Sequence, residues 1–139
     1  MIIEIDNFAD AKVFRELAFS ADFYDFDAPD GETYKRVQIV ELPEITKKIE
    51  QILGPIQMLG SGFRLNYNGE LPNRAIHSDL GWGTHALVLY LSDGPGGTAF
   101  WQHKKTGAKS IKAGQQDLLE LIEGDWDSPD KWEQVYLLS

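Results

Sequence analysis

The chain has no cysteine, so disulfide frameworks and thiolate metal sites are both excluded. It has no apolar run approaching the roughly 20 residues that a membrane-spanning helix needs. The segment Met1-Ile2-Ile3-Glu4-Ile5-Asp6 carries neither a basic stretch nor a long apolar core, and does not read as a signal peptide. Positive charge is also scarce: 13 basic residues stand against 22 acidic ones, a formal charge of -9. Proteins that bind nucleic acid or anionic membranes usually carry a basic patch. The densest one here, His103-Lys104-Lys105 with Lys109 and Lys112 nearby, reads more simply as a solvated hairpin. These absences point to a cytoplasmic protein with neither a nucleic-acid nor a membrane partner. A small-molecule or peptide substrate remains open.

What is present is 139 residues, 42% of them apolar, enough for one domain with a real core. Residues 1–55 read as a lead-in of strand and helix. Residues 2–5 alternate apolar and acidic, as in a short strand. Asp6 or Asn7 can cap the following helix, with Phe8, Val13, Phe14, Leu17 and Ala18 as its apolar stripe. Residues 20–34 are acidic, aromatic and turn-rich, and read as a loop turning at Asp30-Gly31. A strand is expected over 37–40. Pro43 then opens a helix with Ile45, Ile49, Ile52 and Leu53 on one face and Gly54 at its end.

From residue 56 the pattern changes to short extended segments at 56–58, 62–67, 75–79, 85–92, 98–102 and 110–112, separated by turn signals. Such spacing suggests a sandwich or barrel. A helix is expected over 115–123 and a strand over 132–138. The chain stops at Ser139, directly after Val135-Tyr136-Leu137-Leu138, and both a missing continuation and a docked terminal strand fit that end.

The residues with the clearest chemical meaning are His77 and Asp79 in Ile76-His77-Ser78-Asp79. Side chains two apart in an extended segment share a side, with attachment points about 6–7 Å apart. An imidazole and a carboxylate can then reach one ion. Two histidines and one carboxylate on one face of a metal, with positions left open, is the arrangement of non-haem Fe(II) oxygenases. By itself His-Xaa-Asp is a weak pattern, and a lone strand histidine is more often structural. Its setting strengthens it: a Gly81-Trp82-Gly83 loop follows, then Ala86-Leu87-Val88-Leu89-Tyr90-Leu91, apolar at both parities like a strand buried on two faces.

Four ordered elements, Phe63-Arg64-Leu65-Asn66-Tyr67-Asn68-Gly69, His77-Ser78-Asp79, Val88-Leu89-Tyr90-Leu91-Ser92 and Gly96-Gly97-Thr98-Ala99-Phe100-Trp101, together resemble the Fe(II)/2-oxoglutarate-dependent dioxygenases. The similarity is to the prolyl-4-hydroxylase-like branch and its bacterial and phage relatives. The resemblance implies an α+β, mainly β fold. This would be a double-stranded β-helix (a jelly roll, cupin-like) with N-terminal helices packed on the sheet and 56–139 as its partial β-helix. It implies Fe(II) and 2-oxoglutarate as cofactors, with His77 and Asp79 as metal ligands. Tyr67 is similar to the family tyrosine that hydrogen-bonds 2-oxoglutarate, and packing in the sheet is an equal alternative. Arg64 faces either the site or solvent, while Trp82 and Thr84 would border the site mouth. Gly96 and Gly97 would serve the turn.

One departure limits the comparison. In the family a second histidine lies on a later strand, followed about ten residues on by Arg or Lys that holds the far carboxylate of 2-oxoglutarate. Here only His85 and His103 remain, and no arginine follows Arg74. His85 reads as structural and His103 as solvent-exposed beside two lysines. The resemblance therefore implies a fold incomplete at its C-terminus, with an exposed sheet edge that recruits a second copy. Two functions stay open, with no catalytic side chain assigned in either. One is an Fe(II)/2-oxoglutarate-dependent hydroxylase, or a truncated and inactive piece of one. The other is a non-catalytic jelly-roll or cupin-like module that binds a ligand or protein.

Overall fold

A computed structural model describes residues 2–70, 76–94 and 97–138. Within it the chain forms two compact units, Met1–Asn68 with Leu89–Asp93, and Gly69–Val88 with Gly94–Ser139.

In the first unit, helix α1 (Ala11–Phe19) begins where Asp10 accepts hydrogen bonds from the backbone N–H groups of Lys12 and Val13, at 3.1 and 3.3 Å. The sequence expectation of a cap at Asp6 or Asn7 is corrected. Asn7 has a φ of 56°, outside the extended conformation a capping residue needs, whereas Asp10 has it. Helix α2 (Pro43–Leu53) starts on proline and ends at Gly54, whose φ is 81°. Spacings of four residues put Phe14 and Ala18 on one face of α1 and Ile45 and Ile49 on one face of α2. With Phe63 they form the buried cluster of this unit.

Strands β1 (Tyr24–Asp27), β2 (Thr33–Ile39) and β3 (Gly62–Arg64) form an antiparallel sheet in that order. The 20–34 segment is therefore not a loop throughout, because Tyr24 and Phe26 pair with β2. Its turn does lie at Asp30-Gly31: the Asp30 carboxylate accepts from the Glu32 N–H at 2.9 Å and Gly31 has a φ of 86°. Buried Gln38 on β2 donates through its side-chain amide to the Ala18 and Ala21 carbonyls at 2.6 and 3.0 Å, fastening the sheet to the end of α1.

In the second unit, β4 (Thr98–His103) pairs antiparallel with β5 (Trp132–Leu138), from Thr98 opposite Leu138 to His103 opposite Trp132. Helix α3 (Gln116–Glu123) buries Ile122, and a single 3₁₀ turn, Pro129–Lys131, leads into β5.

Helix and strand are of similar extent, so the fold is mixed rather than mainly β. Among the described residues the strands form sheets of three and two, with no closed barrel. The expected strands over 2–5, 56–58, 76–79, 85–92 and 110–112 join no ladder there, and β3 is shorter than expected. Ala75, Pro95 and Gly96 lie outside the described residues. A strand exists only where a second backbone pairs with it, and local sequence does not supply that partner. Residues 85–91 show this most clearly. Leu89 and Leu91 pack against the first unit's cluster, but Leu87 and Val88 are 51% and 53% exposed, so the expected two-faced burial does not occur. Among the described residues no helix is long and apolar enough to cross a membrane.

Gly62 approaches β2 so closely that a Cβ there would overlap the Gln38 backbone carbonyl, whereas one at Gly60 meets nothing within 4 Å. Gly62→Ala is expected to lower stability by about 1–3 kcal/mol, and Gly60→Ala to change it by less than about 0.5 kcal/mol, read from urea denaturation midpoints.

Candidate functional site

His77 and Asp79 lie on an irregular stretch that ends in a turn, where the Trp82 N–H donates to the Asp79 carbonyl at 2.8 Å and the Leu80 N–H to the Ser78 hydroxyl at 3.2 Å. These bonds fix the backbone that carries the pair. His77 Nε2 stands 3.3 Å from Asp79 Oδ1, with the two side chains 38% and 58% exposed. Two protein donors each about 2.1 Å from one ion stand about 3.0 Å apart at a right angle and about 3.4 Å apart in a tetrahedron. The observed separation fits two neighbouring ligands of one ion. Among the described residues no group of three or more His, Asp or Glu side chains converges to hold a metal. The donor set fits as a pair and stops there.

Residues 76–79 form one wall of an open cleft of about 790 Å³ lying wholly within the second unit. The facing walls come from β4, from 108–111 after its turn, and from 122–132 around the end of α3. Trp132, which is buried, forms part of the lining, and the partly exposed Trp101 and Trp126 stand in the walls. The charged groups on the cleft are Asp79, Asp127 and Lys109, with His77 beside them.

Tyr67 belongs to the first unit, where the Arg36 guanidinium lies 4.2 Å above its ring, and Arg64 is the last residue of β3. Thr84 hydrogen-bonds His85 Nδ1 through its hydroxyl at 2.9 Å, and Trp82 is 54% exposed; neither lines the cleft. Trp101, Trp126, Asp127 and Lys109 line the cleft without standing out in the sequence as site residues. The available signal was three of the four tryptophans lying within 101–132.

His103 overturns its expectation, because it is fully buried rather than solvated. Its Nε2 stands 2.7 Å from Asp125 Oδ2 and its Nδ1 2.9 Å from the Thr106 hydroxyl. A carboxylate only accepts, so Nε2 carries the proton. In the neutral ring Nδ1 then accepts from Thr106. The Thr106 oxygen in turn accepts from the Ala108 N–H at 3.2 Å. The Trp132 ring lies 5.0 Å from the imidazole, and its indole N–H donates to the Asp125 carbonyl at 2.9 Å. With every polar atom satisfied, this arrangement is a structural tie.

The two histidines should therefore separate in stability measurements. His103→Ala opens a cavity and strands Asp125 and Thr106, and is expected to cost about 3 kcal/mol. His77→Ala, at a partly exposed position outside any helix or strand, should change stability by less than about 1 kcal/mol. Thermal melts of the two variants check the contrast. No family model matches the sequence, and neither a curated protein nor a solved structure matches the chain.

Proposed function

We propose that the chain is an Fe(II)/2-oxoglutarate-dependent oxygenase domain, a hydroxylase built on a double-stranded β-helix plan, in which His77 and Asp79 supply two of the metal ligands. The observation that carries this reading is the 3.3 Å separation of His77 Nε2 and Asp79 Oδ1 on the wall of an aromatic cleft. The ordered run of motifs over residues 62–101 supports it. When bound, iron with 2-oxoglutarate supplies the oxidation of a substrate C–H bond. The chain's own part is narrower. His77 and Asp79 hold the ion, the turn at 79–82 fixes their spacing, and the tryptophan walls exclude water from one side of the cleft. A two-residue donor set holds an ion more weakly than a complete facial triad. The cysteine-free composition fits a cytoplasmic setting.

Anaerobic titration with Co(II) or Fe(II), followed by calorimetry, tests the reading. Binding to the wild-type chain should be measurable, and His77→Ala and Asp79→Ala should each weaken it about tenfold or more. Unchanged affinity in the double variant would sink the proposal. The absence of a third donor among the described residues favours a second reading, a non-catalytic module that binds a ligand in the cleft. On that reading metal affinity would be negligible and ligand binding would survive His77→Ala.

We also propose that a second copy of the chain pairs along a sheet edge. The β4–β5 ladder has two strands among the described residues, and Val135 and Leu137 on β5 are 41% and 51% exposed. Light scattering at rising concentration should show a dimer, and Leu137→Lys should shift it to monomer. A wild-type monomer at millimolar concentration would refute the pairing.

A further inference from the structure

We infer that the second unit's cleft binds a cationic group, an alkylammonium or guanidinium carried on a peptide side chain. This names the ligand class of the cleft that the proposed function uses, and rests on that reading for its chemistry but not for binding. Trp101 and Trp126 line the cleft, each only partly buried, and neither indole N–H is bonded to another described residue, while that of Trp132 is spent on the Asp125 carbonyl. Their π-faces attract a cation within about 6 Å of a ring centroid, tryptophan most strongly of the aromatics. Their N–H groups remain available to a carbonyl of the same ligand.

Charge supplies the second strand. Carboxylates outnumber ammonium groups on the cleft, Asp79 and Asp127 against Lys109. Asp127 is exposed and makes no ion pair or side-chain hydrogen bond with any described residue, so its charge is uncommitted inside the fold. The whole chain carries -9, which raises the local concentration of cations around such a site. An apolar stem suits the remainder of the lining, including Ile111, Ile122 and Phe100. Lysyl and arginyl side chains join an apolar stem to a charged head.

The experiment uses the full chain without added metal and four blocked tripeptides, Gly-Xaa-Gly with Xaa as arginine, lysine, norleucine or glutamate. Tryptophan fluorescence is the readout. The arginine and lysine peptides should bind, and the norleucine peptide about tenfold more weakly. Asp127→Asn and Trp126→Leu should each weaken the cationic peptides by about three- to tenfold, and Lys109→Met should strengthen them. Asp127 and Lys109 are both exposed, so these two variants keep the fold whatever happens at Trp126. Equal binding of the norleucine peptide, preference for the glutamate peptide, or no binding of any of the four would each overturn the inference. A metal titration on the same samples keeps the outcomes separate. Retained Co(II) binding with no cationic preference defeats only this inference, and the converse result defeats only the metal assignment.

Discussion

The second unit depends on the burial of one imidazole. His103 ends β4, its Nδ1 is held by the turn that follows, its Nε2 is held by Asp125 beyond α3, and its ring lies against Trp132 at the start of β5. Burying so polar a ring is costly unless each nitrogen finds a partner, and both do. The satisfied ring then joins three stretches of the unit, the end of β4 with its turn, Asp125 and the start of β5. Backbone bonds close the same corner: the His103 N–H donates to the Ala108 carbonyl at 2.8 Å and the Lys104 N–H to the Lys131 carbonyl at 2.9 Å. The cleft is built around this corner, with Trp101 two residues before His103, Trp126 one after Asp125, and Trp132 touching the ring. A site whose walls come from separate segments needs such a tie to have one shape.

Where structure follows from neighbours three and four residues away, it was legible in the sequence. The helices after residues 10, 42 and 115 form where apolar residues recur at three and four, because a helix closes its own hydrogen bonds, although Phe8 precedes α1 and Val13 and Leu17 on it stay exposed. Strands are another matter. Tyr24–Asp27 was hidden inside a polar, turn-rich stretch, and its strand character comes from pairing with β2. Residues 85–91 have the apolar content of a buried strand yet join no ladder among the described residues. Composition gives the tendency to extend, and a partner backbone decides the outcome.

The candidate site divides along the same line. His77 and Asp79 are two residues apart, so their proximity is a local property that the motif already contained. The cleft they border is not local, and Trp126 and Lys109 could be assigned to it only from the fold. His103 was misread for the same reason. Its neighbours in sequence are lysines, which argue for solvent, but its burial depends on Asp125, 22 residues away.

The two proposals for the cleft constrain each other electrostatically. Asp79 belongs to the donor pair and also to the carboxylate excess on the walls. A divalent ion on the pair would outweigh the Asp79 charge, and with Asp127 balanced by Lys109 the cleft would turn net positive and repel a second cation. By linkage, a cationic ligand would weaken the metal by the same factor that the metal weakens it. The conflict disappears if an anionic co-ligand accompanies the metal, because its charge restores the negative balance of the cleft. A dicarboxylate such as 2-oxoglutarate does this. The two proposals therefore hold together in this cleft only in the company of an anion, which the proposed oxygenase chemistry would supply.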